Sequence, residues 1–136
     1  MRGEGPGVGS GLVLVVDDDP LIREVVTATL RDEGYDVAGA PDGQTALASA
    51  AASPPGLILL DMAMPGLDGR GFAAAYRALP GPHAPLVVFT AGATVAGPQF
   101  TDAGLLAELG AAGALPKPFD LDDLVALVTR FVPRRP

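Results

Sequence analysis

Cysteine is absent from the chain, which excludes disulfides, thiolate zinc sites and a cysteine nucleophile. Aromatic residues make up only 5%, so the core has to be built from Leu, Val, Ile and Ala, and a platform for stacking bases or sugars is not expected. Positive charge is scarce: 9 Lys+Arg against 16 Asp+Glu give a net charge of −7. That balance argues against nonspecific binding to nucleic acid or to an anionic membrane. No apolar run approaches the ~18 residues of a membrane span. Runs such as Leu12–Val16 and Leu57–Leu60 have the length of strands. The opening MRGEGPGVGSG has no apolar stretch of the kind a secretory signal needs. A cytoplasmic location is the expectation.

What is present fits one domain. The chain has 136 residues, of which 49% are hydrophobic, too apolar for general disorder. A chain of this size buries about two-thirds of its unfolded surface and needs no covalent staple. Glycine marks residues 1–10 as a flexible tail, residues 11–132 form the domain, and residues 133–136 are a short C-terminal end.

Short apolar runs alternate with amphipathic stretches. Leu12–Val16 reads as a buried strand, followed by Asp19-Pro20, a helix cap and a first-turn proline. Leu21, Ile22, Val25, Val26 and Leu30 recur at helical spacing, and Gly34 is a stop. Asp36–Ala40 is a weak strand, and Asp42-Gly43 opens an alanine-rich helix ending near Ser53-Pro54-Pro55. Leu57–Leu60 is a third strand leading straight into Asp61, and a helix carrying Phe72, Tyr76 and Leu79 follows. Leu86–Phe89 is a fourth strand ending at Thr90. A short helix near Asp102–Leu109, a fifth strand at Ala114–Pro116 and a last helix capped by Asp120 complete the pattern. Five strands alternating with five helices predict a doubly wound α/β fold, a parallel sheet covered on both faces. The solid runs one, three and four belong at its centre. The weak second strand and the proline-bearing fifth belong at its edges, which gives the order 2-1-3-4-5.

Ligands of such sheets bind at the carboxyl ends of the strands. Here strand one ends in Asp17-Asp18-Asp19, strand three in Asp61, strand four in Thr90, and strand five near Lys117, the only lysine. Asp19 reads as a cap. Asp17, Asp18 and Asp61 would repel one another, and a hard divalent cation such as magnesium relieves that. Lys117 is placed to pair with Asp61 and with an added phosphoryl group, and Thr90 offers a hydroxyl. His83, the sole histidine, sits in a Gly-Pro loop and reads as an ordinary surface residue.

Four segments, Leu12 to Arg23, Leu57 to Gly69, Phe89-Thr90-Ala91 and Pro116-Lys117-Pro118-Phe119, resemble in order and spacing the signatures of receiver domains of two-component response regulators. The resemblance spans about residues 11–132. It implies a five-stranded, flavodoxin-like (βα)5 fold and a phosphorelay switch rather than an enzyme. Asp61 would accept a phosphoryl group from a sensor histidine kinase or phosphotransfer protein. Magnesium would be held by Asp18, Asp61 and the Ala63 backbone carbonyl, with Asp17 acting through water. Thr90 and Lys117 would contact the phosphoryl group, and the Lys117–Pro118 bond would be cis. Output would pass through contacts with a downstream protein, without direct binding of nucleic acid or membrane by this stand-alone domain. Two departures stand out. The stretch from Thr90 to Lys117 is longer than the family's usual one, making Ala91–Thr101 a candidate read-out segment, with changes on activation expected mainly in Ala91–Leu109. Ala114 stands where a switching aromatic is common.

Three rival readings are weaker. An aspartate-nucleophile phosphatase needs a D-x-D-x-T/V run that Asp17-Asp18-Asp19-Pro20-Leu21 lacks. A flavin module needs a phosphate-cradling loop after strand one, where three acids repel phosphate. A degenerate receiver serving only as an interaction module is opposed by the complete set of acids, Thr90 and Lys117.

Overall fold

Val13–Val16 and Leu57–Leu60 are fully or almost fully buried, and the computed structural model pairs them side by side in the middle of a five-stranded parallel sheet. The structure describes residues 11–62, 64, 66–90, 107 and 110–133. The strands are β1 (Leu12–Val16), β2 (Asp36–Ala40), β3 (Leu57–Asp61), β4 (Leu86–Thr90) and β5 (Gly113–Pro116), in the order β2-β1-β3-β4-β5. The two strands that read as weak from sequence are the two edges. Burial on both faces explains why the central strands are continuous apolar runs rather than alternating ones.

Four helices are described: α1 (Pro20–Asp32), α2 (Gly43–Ala52), α3 (Gly69–Ala78) and α4 (Leu121–Phe131). Each begins on an aspartate. Asp19, Asp42, Asp68 and Asp120 accept backbone N–H groups of Leu21, Thr45, Gly71 and Asp122 at 2.7–2.9 Å, satisfying donors that a helix start leaves open. Part of the negative charge of this chain is therefore spent on starting helices. Helix α1 stops at Gly34, whose φ of +96° falls in the left-handed region that glycine tolerates. The tail at residues 1–10, the helix expected near Asp102–Leu109 apart from Ala107, and the last three residues of the expected C-terminal tail lie outside the described residues.

The period-2 alternation of strands divides the core into two layers. Val13, Val15, Leu57, Leu59, Val87, Phe89 and Leu115 face α1 and α4, meeting Val26, Leu30, Leu124 and Val128. Leu14, Val16, Ile58, Leu60, Leu86 and Val88 face α2 and α3, meeting Ala46, Ala50, Phe72 and Tyr76. Among the described residues, no helix is long and apolar enough to cross a membrane.

Candidate functional site

The same alternation that builds the first layer continues past the strand ends. Asp17 follows Val13 and Val15, Asp61 follows Leu57 and Leu59, and Lys117 follows Leu115. Three polar residues thereby extend an apolar layer at the carboxyl end of the sheet, where parallel strands present their ligand-binding edge. The carboxylate oxygens of Asp17, Asp18 and Asp61 come within 4.8 Å of one another. Asp17 is fully buried and Asp61 is 5% exposed, whereas Asp18 faces solvent.

Asp17 is fixed from several sides. Its N–H extends the β1–β2 ladder to the Ala40 carbonyl at 3.2 Å. Its carbonyl accepts Arg23 Nη1 at 2.7 Å, and its Oδ1 accepts the Asp19 N–H at 3.0 Å. Its Oδ2 faces Lys117 Nζ at 3.1 Å. The same Nζ lies 3.4 Å from Asp61 Oδ1. The lysine expected to pair with Asp61 thus bridges two buried carboxylates and sits closer to Asp17. A buried carboxylate needs such a partner, because desolvation of an unpaired charge is costly.

Lys117 is held at its backbone by donation to the Thr90 carbonyl at 2.7 Å, and the Lys117–Pro118 bond is cis. Thr90 Oγ1 is buried and has no hydrogen-bond partner among the described residues. A buried hydroxyl in that state calls for a hydrogen-bond partner. Ala63, whose carbonyl was expected to face the metal, lies outside the described residues.

The loop after Asp61 is wedged against glycines. A Cβ at Gly69 would come within 2.6 Å of Met62 Sδ, one at Gly71 within 2.6 Å of Leu67 Cδ1, and one at Gly43 within 2.8 Å of the Leu67 carbonyl. At Gly43 and Gly69 the added atom would also press on the backbone of Leu67 and Met62, whereas at Gly71 it meets only side-chain atoms, chiefly those of Leu67.

Two aromatics near the lysine, Phe89 and Phe119, entered the sequence reading only as members of the matched segments, with no role of their own. Phe89 carries Lys117 Nζ 5.9 Å above its ring centroid and packs on Phe119 with centroids 4.9 Å apart. The signal that could have found Phe89 is its parity: it shares a face with Leu115 and lies in register with Asp61. His83 is exposed in the α3–β4 connection, at the opposite end of the sheet from the acids.

Three clustered carboxylates are hard oxygen donors suited to a divalent cation. The Lys117 ammonium lies against two of these carboxylates and adds a positive charge to the same edge of the sheet. A family model described as the response regulator receiver domain matches residues 13–129. The chain belongs to that family of two-component signalling domains. Among its relatives, the transcriptional regulatory protein PrrA of Mycobacterium tuberculosis is 43% identical over 129 residues, covering 95% of this chain and 53% of PrrA. The DNA-binding response regulator MtrA of Mycolicibacterium smegmatis is 40% identical over 116 residues, covering 85% of this chain and 48% of MtrA. The chain thus spans about half the length of these curated relatives. Solved structures of similar shape include the chemotaxis protein CheY4 of Vibrio cholerae, with a TM-score of 0.75, 32% identity and coverage of 90% of this chain and 99% of that one. The receiver domain of NtrX from Brucella abortus gives a TM-score of 0.75 at 30% identity, covering 88% and 97%.

Proposed function

We propose that residues 11–132 form a phosphoacceptor switch in which Asp61 takes a phosphoryl group from a phosphohistidine of a sensor kinase or phosphotransfer protein. The observation that carries this reading is the convergence of Asp17, Asp18 and Asp61 beneath a single lysine that touches two of them. A carboxylate oxygen of Asp61 attacks phosphorus, a P–O bond forms, and the P–N bond to the donor imidazole breaks with its electron pair leaving on nitrogen. Such transfer depends on in-line positioning and on stabilising charge at the equatorial oxygens. Lys117 and the Thr90 hydroxyl are the groups of this chain available for that work. Lys117 keeps its ammonium at the Asp61 carboxylate, and Thr90 brings a buried hydroxyl that has no hydrogen-bond partner among the described residues. Asp17, Asp18 and Asp61, with the Ala63 carbonyl, would hold magnesium, which when bound offsets the negative charge on the carboxylates and the incoming phosphoryl group.

A macromolecular donor needs a surface near the acceptor. Leu21 and Val25 of α1 and Leu121 of α4 are large apolar side chains exposed by 67%, 41% and 38%. Leu21 and Leu121 lie in first helical turns, hence at the acidic end. The chain then acts on nothing but its own aspartate, works in the cytoplasm beside its kinase, and signals through protein contacts, in keeping with its net charge of −7.

Incubation with acetyl phosphate and magnesium, followed by intact mass measurement, is expected to show one phosphoryl adduct that disappears in Asp61→Asn. An adduct that persists in that variant refutes the assignment.

A further inference from the structure

Building on the phosphoacceptor assignment, we propose that Phe89 is a positioning residue, holding the Lys117 ammonium where it serves phosphoryl transfer to Asp61. Phe89 is 1% exposed and lies in register with Asp61 across the β3–β4 pair. Its carbonyl accepts the N–H of Met62, the residue after the acceptor, at 3.3 Å. Its ring face looks toward Lys117 Nζ at 5.9 Å, within the range over which an aromatic quadrupole attracts a cation. The ring of Phe119, two residues beyond Lys117, rests on Phe89 at 4.9 Å and a 34° tilt. The turn that carries the lysine is therefore seated on the same ring its ammonium overhangs.

The lysine needs such a seat. Its stem has four rotatable bonds, and two carboxylates compete for its head, with Asp17 at 3.1 Å the nearer and Asp61 at 3.4 Å the farther. An unsupported ammonium would settle on the buried Asp17 or swing toward solvent, since the side chain is 24% exposed. The Phe89 face excludes water on one side and draws the charge to a point between the two acids. Phe89 also belongs to the apolar layer facing α1 and α4, so a change there alters packing as well. The two contributions separate because only one of them acts through Lys117.

The test is a double-mutant cycle on the rate of adduct formation from acetyl phosphate in magnesium, with thermal melts run alongside. Phe89→Leu fills most of the same volume but offers no π face. It is expected to slow phosphorylation about three- to tenfold in the otherwise native chain and to have no further effect in the Lys117→Met background. Replacing Phe89 by 3,4,5-trifluorophenylalanine keeps the ring shape and weakens its negative face, and is expected to slow the reaction likewise. Equal slowing by Phe89→Leu in both backgrounds, or a native rate with the fluorinated ring, overturns the proposal. Should Phe89→Leu not fold, or Lys117→Met give no measurable adduct, the fluorinated ring decides alone. A native chain that forms no adduct, or one that survives Asp61→Asn, removes the phosphoacceptor reading itself. Normal Asp61 labelling with a rate indifferent to the ring removes only the role of Phe89.

Discussion

A buried hydroxyl without a partner costs stability, and Thr90 Oγ1 is in that condition among the described residues. Thr90→Val, close to isosteric, is therefore expected to raise stability by about 0.5–1.5 kcal/mol in urea denaturation while slowing formation of the Asp61 adduct. A variant that lost both stability and phosphorylation would mean that the hydroxyl serves the fold instead. Asp61, Thr90 and Lys117 were legible in the sequence because each closes or follows a short apolar run, and strand ends of a parallel sheet share one edge. The Lys117–Asp17 bridge was not legible. It joins residues far apart in the chain, and its preference for Asp17 over Asp61 rests on a difference of a few tenths of an ångström. The ring of Phe89 was hidden for a different reason, since an aromatic inside an apolar run reads as core until its neighbour across the sheet is known.

Helix starts were the most legible elements. Asp19-Pro20 and the Asp120 before an amphipathic run each announced a cap and Asp42-Gly43 a turn into a helix, and Asp19, Asp42 and Asp120 are all caps in the structure. The edge strands were legible from their weakness. Contacts of Leu67 and Met62 with Gly43 and Gly69 were not, because tight packing of backbone on backbone leaves no periodic trace in a sequence. The segment Ala91–Thr101, expected to carry the read-out, lies outside the described residues. Among the caps, Asp42 has its carboxyl held below its ordinary value of 3.8, chiefly by the Thr45 backbone N–H and then by the Thr45 side chain. A depressed folded-state value means stability that is present above the unfolded value and lost as pH falls through the folded one. Asn can also cap but carries no charge. The wild-type advantage over Asp42→Asn in thermal melts is thus expected to be largest near neutral pH and to shrink below about pH 4. A gap independent of pH would show that the cap works without its charge.

For the whole molecule, the dominant imbalance is charge, −7 overall with three carboxylates gathered at one end of the sheet. A cation bound there only in the folded state stabilises it by mass action. Saturating magnesium is expected to raise the melting temperature by about 2–8 °C. Asp18→Asn should raise the metal-free melting temperature and abolish the magnesium effect. A wild-type melt unmoved by millimolar magnesium would refute the metal site. The strand order also bears on how the molecule is made. After β2, each new strand docks on an edge that already exists: β3 on β1, β4 on β3, β5 on β4. A chain leaving the ribosome N-terminus first can extend this sheet outward without prising apart any pair already formed. Asp17 and Asp18 emerge first, Asp61 joins them with β3, and Lys117 arrives only after β5. The nascent chain bears the mutual repulsion of its acids until the final strand docks, so β5 closes the fold electrostatically as well as geometrically.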